Sequence, residues 1–263
     1  MLTHKLIPIR NSRLFPVLAL LLAALILAGC TNASGGGAAP GGSGSSPEPA
    51  ESWSFVDDRG ITVTLPERPT RVVAQSTAAA ALWSLGVEVV GVFGPQRLPD
   101  GSNDPTVGDV DLSRVTSLGE AWGELDLEKL AALKPDLIVS IMYTPPELWY
   151  VLPDVEPQVR AIAPTVGITV GQRSIKEAMQ RFEELAGALG ADLNAPQVAA
   201  ARQRFEEASE ELRAALAEKP GLTAMFGAGS LETLWVSNPP YYGDLSYFQE
   251  LGMQILVPEN PES

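Results

Sequence analysis

Apolar and polar positions alternate in two short stretches near residue 60. Trp53–Val56 and residues 61–65 alternate in this way, and between them lies the polar segment 57–60, which ends in glycine. This pattern predicts a β-hairpin. The ordered part of the chain is therefore expected to begin at Trp53.

A compact strand, helix and strand follow the hairpin. Residues 71–75 form a short apolar run, and Ser76 and Thr77 are candidate caps for an alanine-rich helix that ends before Gly86. Residues 89–92 are again apolar. A strand, a helix and a second strand within so few residues predict a βαβ unit and hence a parallel sheet.

The same alternation of helix and strand recurs up to residue 170. Residues 125–133 carry apolar side chains at helical spacing and are stopped by Lys134 and Pro135. Residues 136–141 read as a strand covered on both faces. A helix near 146–152 and a strand near 162–170 complete one α/β lobe.

Helical periodicity dominates the region after residue 170. Residues 174–189 and 196–218 are two helical stretches separated only by 190–192, and together they could form one long, slightly broken helix. Strand character returns after Lys219, at residues 222–229, 233–236 and 255–257, with a helix at 247–251. The sequence therefore predicts an α/β lobe, a long helical connector and the start of a second α/β lobe.

The N-terminus has the pattern of an export signal. Lys5, Arg10 and Arg13 precede an apolar run at 14–27, which is shorter than the roughly 20 residues needed to span a bilayer. The run ends in Leu-Ala-Gly-Cys at 27–30, which resembles the bacterial lipobox and implies cleavage before Cys30 and acylation of that cysteine. A plain signal peptide with a chance cysteine and a retained membrane anchor are the alternatives.

Composition then excludes several kinds of chemistry. Cleavage would reduce the 18 Lys and Arg residues to 15, against 32 Asp and Glu, so the net charge would be −17 and nucleic acid is not an expected partner. His4, the only histidine, would be lost, and Cys30, the only cysteine, would be acylated. Neither a Cys/His zinc site nor histidine-dependent nucleophilic catalysis could then form, so we predict no catalytic residue, no metal site and no enzyme activity.

The predicted organisation has five parts. These are a signal peptide at 1–29, a flexible tether at 30–50 rich in Gly, Ser, Ala and Pro, a first lobe at 51–170, a connector at 171–219 and the start of a second lobe at 220–263. Only 44 residues follow Lys219, whereas the first lobe occupies about 120. We expect the second lobe to be incomplete and the sequence to be a fragment; a protein with an unusually small second lobe is the alternative.

Several segments together resemble the ferric-siderophore and vitamin B12 substrate-binding proteins of ABC importers. The similar segments are 55–60, 69–73, 85–92, 127–139, 162–166 and 242–252. The resemblance implies a class III binding protein: two Rossmann-like α/β lobes, one rigid connector helix and a ligand in the cleft between the lobes. It also implies a monomer without a cofactor, which binds a ferric siderophore, partners an importer permease and is lipid-anchored at the extracytoplasmic face of the cell membrane.

Other functions stay open at this point. Within the same family, cobalamin, haem or another metal chelate could be the ligand. Outside it, a structural or adhesive lipoprotein that retains the fold is possible, and so is a secreted enzyme with carboxylate chemistry, although no pair of carboxylates is marked out by a motif.

Ligands of parallel α/β lobes bind beyond the carboxyl ends of the strands. Applied to the predicted strands, this rule selects nine residues as ligand contacts, with residues 229–230 and 237–238 nearby: Gln75, Ser76, Phe93, Arg97, Trp122, Met142, Tyr143, Tyr241 and Tyr242. Arg97 is the best cationic candidate for an anionic chelate. Trp149 and Tyr150 are expected on a helix surface or in the packing of the lobe, and not in the cleft.

The resemblance also suggests where a permease would dock. In the resembled family a surface glutamate at the position of Glu128 pairs with permease arginines. The equivalent position of the second lobe falls near Ser246, which is not acidic, so Asp244 or Glu250 is the candidate there.

Overall fold

The computed structural model of the protein describes residues 52–257. The predicted signal peptide at 1–29, the predicted lipidation site Cys30 and the whole of the predicted tether at 30–50 lie outside the described residues. Among the helices that are described, none combines the length and the apolar character that a membrane crossing requires.

The hairpin forms where the alternation predicted it. Strand β1 (Trp53–Val56) pairs antiparallel with β2 (Thr62–Leu65), and Trp53 lies opposite Leu65. The turn is closed by the side chain of Asp57, whose Oδ1 accepts hydrogen bonds from the backbone N–H groups of Arg59 and Ile61. A carboxylate that accepts from its own turn is a common way to stabilise a loop of this kind.

A parallel five-stranded sheet is the centre of the first lobe, and the predicted α/β class is confirmed. Its strands lie in the order β5–β4–β3–β6–β7, and every neighbouring pair is parallel. The strands are β3 (Val72–Gln75), β4 (Gly91–Phe93), β5 (Thr116–Ser117), β6 (Leu137–Met142) and β7 (Thr165–Thr169). All residues of β3, β4, β6 and β7 are buried, as expected for strands covered on both faces.

Three helices of the first lobe cover the sheet: α1 (Ser76–Ser84), α2 (Leu127–Ala132) and α3 (Glu156–Ile162). Leu82 of α1 belongs to the apolar core on one face of the sheet, and Leu130 of α2 belongs to the core on the other face. The cap of α1 differs from the prediction. Instead of Ser76 or Thr77, the side chain of Gln75 accepts the N–H groups at the start of the helix.

The helix predicted near 146–152 is wrong. That segment is an irregular loop that folds back onto β6: the Trp149 N–H donates to the Ile141 carbonyl at 2.9 Å, and Ser140 Oγ donates to the Trp149 carbonyl at 2.9 Å. Tyr150 adopts a φ of 66°, which a helix does not allow. The helix of this region is α3, which has its proline in the first turn, where proline is tolerated.

The predicted connector consists of two helices and not of one broken helix. They are α4 (Ile175–Ala188) and α5 (Pro196–Ala217), and Gly190 between them has a φ of 88°. Glu183 accepts from Arg202 at 2.8 Å, and Lys176 lies 4.0 Å from Glu206, so the two helices run antiparallel.

Both helices begin from the core of the first lobe. Helix α4 buries Phe182 and Leu185 there, and the first turn of α5 joins the same core through Val198. The rest of the 22-residue α5 reaches α6, which it contacts through Phe205 and Ser209.

The segment after α5 contains short strands and one helix. They are β8 (Thr223–Ala224), β9 (Gly227–Gly229), β10 (Leu234–Val236), α6 (Gly243–Glu250) and β11 (Gln254–Ile255). β8 and β11 pair in parallel, and β9 and β10 form an antiparallel hairpin. Helix α6 is held against α5, because the hydroxyl of Tyr247 donates to Ser209 Oγ at 2.9 Å and the Tyr247 ring stacks on Phe205 at 5.4 Å.

Candidate functional site

A cavity of about 460 Å³ lies between the first lobe and the segment that follows α5. The first lobe contributes residues that follow the carboxyl end of β6, which is an inner strand of the sheet. The other wall comes from the end of β10 and the turn before α6. The lining residues are Tyr143, Thr144, Trp149, Val236, Asn238, Tyr241 and Tyr242.

Aromatic rings are continuous along one side of this cavity. The rings of Tyr143 and Trp149 are 4.9 Å apart at 75°, those of Trp149 and Trp122 are 4.7 Å apart at 62°, and Trp122 meets Tyr150 at 5.2 Å. These are edge-to-face geometries, which aromatic pairs favour. We call these four residues the aromatic cluster. Tyr242 extends it across the cavity, with its ring 6.3 Å from that of Tyr143.

Two features of the backbone hold the aromatic cluster in place. The loop that carries Trp149 is bound to β6 through Ser140, as described above. Gly94, which follows β4, has a φ of 93°, and a Cβ there would lie 2.8 Å from Ser76 Oγ and 3.6 Å from the Tyr150 ring. The positive φ and the approach to Ser76 require glycine, whereas 3.6 Å from the Tyr150 ring is an ordinary contact, so Gly94 lets the turn after β4 follow its path beside Tyr150.

The phenols at the site are kept in their neutral form. Burial raises the pKa of Tyr143, and the nearby charge of Asp244 and the Tyr242 phenol raise it further. Burial also raises the pKa of Tyr150, with a contribution from Asp104. Both hydroxyls therefore remain hydrogen-bond donors at neutral pH. The Tyr143 hydroxyl, Thr144 and Asn238 place polar groups beside the aromatic rings that line the cavity, which suits a bulky, partly apolar ligand.

The rule that ligands bind beyond the carboxyl ends of parallel strands located part of this site. Of the nine predicted contacts, Tyr143, Tyr241 and Tyr242 line the cavity, and Trp122 belongs to the aromatic cluster. Asn238 lies in the predicted range 237–238. These residues remain the predicted ligand contacts.

Four other predicted contacts are revised because their side chains are covered. Gln75 and Ser76 are 1% and 0% exposed, and Gln75 Nε2 donates to Ser76 Oγ at 2.9 Å while its Oε1 caps α1. Phe93 and Met142 are 1% and 0% exposed and lie in the apolar core. Each follows or ends a strand as predicted, but the side chain points away from the cavity.

Arg97 is exposed but does not line the cavity. Its Nη1 donates to the Gly101 carbonyl at 2.9 Å, and its backbone N–H donates to the Glu120 carboxylate at 3.1 Å. The loop after β4 is thereby closed on itself, so the prediction that Arg97 supplies the cation of the site is not supported.

Sequence reasoning missed Trp149, Tyr150, Thr144 and Val236. The helical prediction for 146–152 puts Trp149 and Tyr150 on a helix surface. The adjacent Trp-Tyr pair, which begins seven residues after the last residue of β6, was the available signal. Recognising this signal required knowing that the loop after β6 folds back over that strand.

The two predicted docking carboxylates occupy equivalent places in their helices. Glu128 is exposed in the first turn of α2, and Asp244 is exposed in the first turn of α6. A carboxylate in this position is stabilised by the helix dipole. Within residues 52–257, no group of three or more His, Cys, Asp or Glu side chains could hold a metal ion.

Comparison with known proteins adds the family. A family model described as periplasmic binding protein matches residues 72–263. Among solved structures, the chain is similar to DesE, a ferric-siderophore receptor protein from Streptomyces coelicolor, with 41% identity, a TM-score of 0.74 and coverage of 79% of this chain and 70% of that one. No curated protein sequence matches the chain.

More distant structures share the fold alone. VctP, a periplasmic catecholate-siderophore binding protein from Vibrio cholerae, is 22% identical with a TM-score of 0.55, covering 81% of this chain and 70% of that one. SirA from Staphylococcus aureus, solved with staphyloferrin B, is 21% identical with a TM-score of 0.54, covering 77% and 64%.

Proposed function

Because this chain belongs to the periplasmic binding protein family, we propose that it captures a ferric siderophore outside the cytoplasm and delivers it to an ABC importer. The observation that carries this proposal is the cavity between the first lobe and the segment after α5. Its wall of aromatic rings offers a large apolar contact area, and its hydroxyl and amide groups can bind the oxygens of a chelator.

The iron would reach this protein inside its chelator. The described residues offer no cluster of metal ligands, and the cavity walls are aromatic and neutral. A chelate that satisfies the metal with its own donor atoms needs only a complementary surface. DesE, at 41% identity, is a ferric-siderophore receptor, which supports the same ligand class here.

We further propose that Cys30 carries a lipid and tethers the protein, as a monomer, to the extracytoplasmic face of the cell membrane. The support is the Leu-Ala-Gly-Cys sequence at 27–30 and the short apolar run before it. Globomycin, which blocks lipoprotein signal cleavage, should cause the uncleaved precursor to accumulate. Radioactive palmitate should label the wild-type protein, whereas Cys30→Ser should abolish the label and leave the signal peptide uncleaved; equal labelling of the variant would argue against a lipid on Cys30.

Ligand capture can be tested by fluorescence, since Trp149 lines the cavity and Trp122 packs against it. Purified Cys30→Ser protein is titrated with ferrichrome, ferric enterobactin, ferric citrate, haem and cobalamin. We expect saturable quenching by at least one ferric siderophore. Quenching by cobalamin or haem alone would reassign the ligand, and the absence of quenching by all five would contradict the proposal.

The position of the site is tested by paired substitutions. Trp149→Ala removes the ring that joins Tyr143 to Trp122, and we expect affinity for the quenching ligand to fall about tenfold or more. Trp83→Phe is the matched control, because Trp83 packs in α1 under the Arg114 guanidinium and does not line the cavity. An equal loss in both variants would place the ligand elsewhere.

Permease docking is tested separately from binding. In a reconstituted importer, Glu128→Arg and Asp244→Arg should each lower transport by placing a cation opposite the arginines expected on the permease. Lys129→Glu, the neighbour of Glu128 on the same exposed turn, is the control. Unchanged transport in both arginine variants would contradict the docking assignment.

A further inference from the structure

The cavity wall is uncharged in the described part of the chain. Its seven lining residues are three tyrosines, a tryptophan, a threonine, an asparagine and a valine. Hydroxyl and amide groups can each donate or accept a hydrogen bond, but none of them carries a full charge. An anionic ligand placed there would lose hydration without gaining a cation in exchange, which is unfavourable.

Two arginines, one beside the start of α6 and one predicted at the site, bind other groups. The backbone of Arg173 is close to Gly243, at the start of α6, but its guanidinium Nη1 binds the Asp58 carboxylate at 2.7 Å. Arg97 binds the Gly101 carbonyl. Within residues 52–257, neither guanidinium lines the cavity.

One carboxylate, by contrast, acts on the lining of the cavity, and a second acts on a residue of the aromatic cluster outside that lining. The charge of Asp244, in the first turn of α6, contributes to the raised pKa of Tyr143, and the charge of Asp104 contributes to that of Tyr150. Asp244 belongs to the segment after α5 and Asp104 to the first lobe. The whole sequence carries a net charge of −14, so the protein as a whole also repels anionic ligands over a longer range.

Ferric siderophores differ in the charge of the metal complex. Three hydroxamate groups each lose one proton and balance the charge of the ferric ion. Three catecholates lose two protons each, and carboxylate-type siderophores also leave excess negative charge. We infer that the cavity selects uncharged or cationic ferric complexes, of the hydroxamate type, and discriminates against anionic catecholate and carboxylate complexes. This inference rests on the proposed function and adds a charge class to it.

Three ligands that share one ferric hydroxamate core but differ in net charge separate the effect of charge on affinity from the effect of shape. Ferrioxamine B carries a free amine and is cationic; acetylation of the amine makes it neutral, and succinylation makes it anionic. The three complexes are titrated against Cys30→Ser protein at low and at high salt. We expect the cationic and neutral complexes to bind with similar affinity, and the succinylated complex about fivefold more weakly at low salt. High salt should reduce the difference in affinity between the succinylated complex and the other two.

Substitution then identifies the source of the discrimination. Asp244→Asn should bring the succinylated complex closer to the neutral one, whereas Glu128→Gln, which removes an equal charge from α2, should leave the ratio unchanged. Equal affinity for all three complexes, or tightest binding of the succinylated one, would overturn the charge selection while leaving siderophore capture intact. Failure of every ferric complex in the wider titration to bind would overturn both.

Discussion

The two walls of the cavity are built in different ways. On the first-lobe side, strands β3, β4, β6 and β7 are buried at every position, and helices cover both faces of the sheet. On the other side, none of the residues in β8 to β11 is buried. Leu234 and Trp235 of β10 are 62% and 57% exposed.

The difference shows where the stability of the site comes from. The first lobe presents Tyr143 and Trp149 on a packed core, so the aromatic cluster is held rigidly. Tyr241 and Tyr242 are positioned mainly through α6, which buries Leu245 and Tyr247 and is followed by the buried Leu251. One wall is therefore preorganised by the whole sheet, and the other depends on a single helix. Local opening should be easier on the second wall.

The largest expected effect is the difference in stability between two leucine-to-alanine substitutions, one in each wall. Leu137 of β6 is fully buried, and Leu234 of β10 is mostly exposed. Leu137→Ala should lower the free energy of unfolding by about 3 kcal/mol because it leaves a cavity in the core. Leu234→Ala should change it by less than about 0.5 kcal/mol. Urea denaturation followed by circular dichroism measures both, and similar losses would refute the contrast between the walls.

The next effect comes from the polar contacts that tie the hairpin to the first lobe. Asp58 is 6% exposed at its side chain and accepts from Arg173, from Arg181 and from the Thr169 N–H, at 2.7 to 2.8 Å. Asp58→Asn keeps the shape but removes the charge shared by two arginines. We expect a loss of about 2 kcal/mol in the free energy of unfolding.

A matched surface pair is the control for this substitution. Glu88 binds Arg114 at 2.6 Å, but both side chains are more than half exposed. Glu88→Gln should cost less than about 0.5 kcal/mol. If Glu88→Gln cost as much as Asp58→Asn, burial of the ion pair would not be the cause.

A smaller and more local effect is expected at α6. Tyr247→Phe removes the buried hydrogen bond to Ser209, which should cost about 1 kcal/mol. Hydrogen exchange should accelerate in α6 and remain unchanged in β6, because the bond joins α6 to α5 only. Ser209→Ala should have the same effect, and the double variant should cost little more than either single one. Additive losses would mean that the two hydroxyls do not stabilise each other.

The contrast between the walls also explains what the sequence could predict. The apolar run at 136–141 and the alternation around residue 60 are local patterns, and β6 and the hairpin formed where they indicated. The loop that carries Trp149 is set by hydrogen bonds to β6, and its proline-rich sequence has no local periodicity that describes such a fold. The break at Gly190 was visible, but the reversal of direction between α4 and α5 depends on which core Phe182 enters.

The candidate site, like the fold, could be predicted only where it depends on local patterns. The position of strand ends follows from the pattern, which located Tyr143. The direction of each side chain depends on packing, and so Gln75, Phe93 and Met142 were wrongly placed in the cleft. Arg97 was chosen for its charge, but the closure of its own loop by Gly101 is not visible in composition or spacing.

The smallest expected effect is a titration that reports whether the two walls remain close in solution. Burial raises the pKa of Tyr143 above the ordinary value of 10.0, and Asp244 and Tyr242 contribute from the opposite wall. The stabilisation that comes from keeping this phenol neutral is complete below pH 10 and is lost as the pH rises through the raised pKa. Absorbance at 295 nm should show the late ionisation of two phenols, Tyr143 and Tyr150, and Tyr143→Phe should remove one of the two.

Asp244→Asn then separates the contribution of the second wall from that of burial. Since Asp244 lies in α6 and Tyr143 follows β6, loss of the carboxylate should lower the Tyr143 pKa only if the two walls are in proximity. The shift should be a fraction of a pH unit, because Asp244 is exposed to water. Glu128→Gln removes a charge on α2 and should leave the titration unchanged. A Tyr143 pKa that is the same in all three proteins would mean that the second wall stands away from the aromatic cluster in solution.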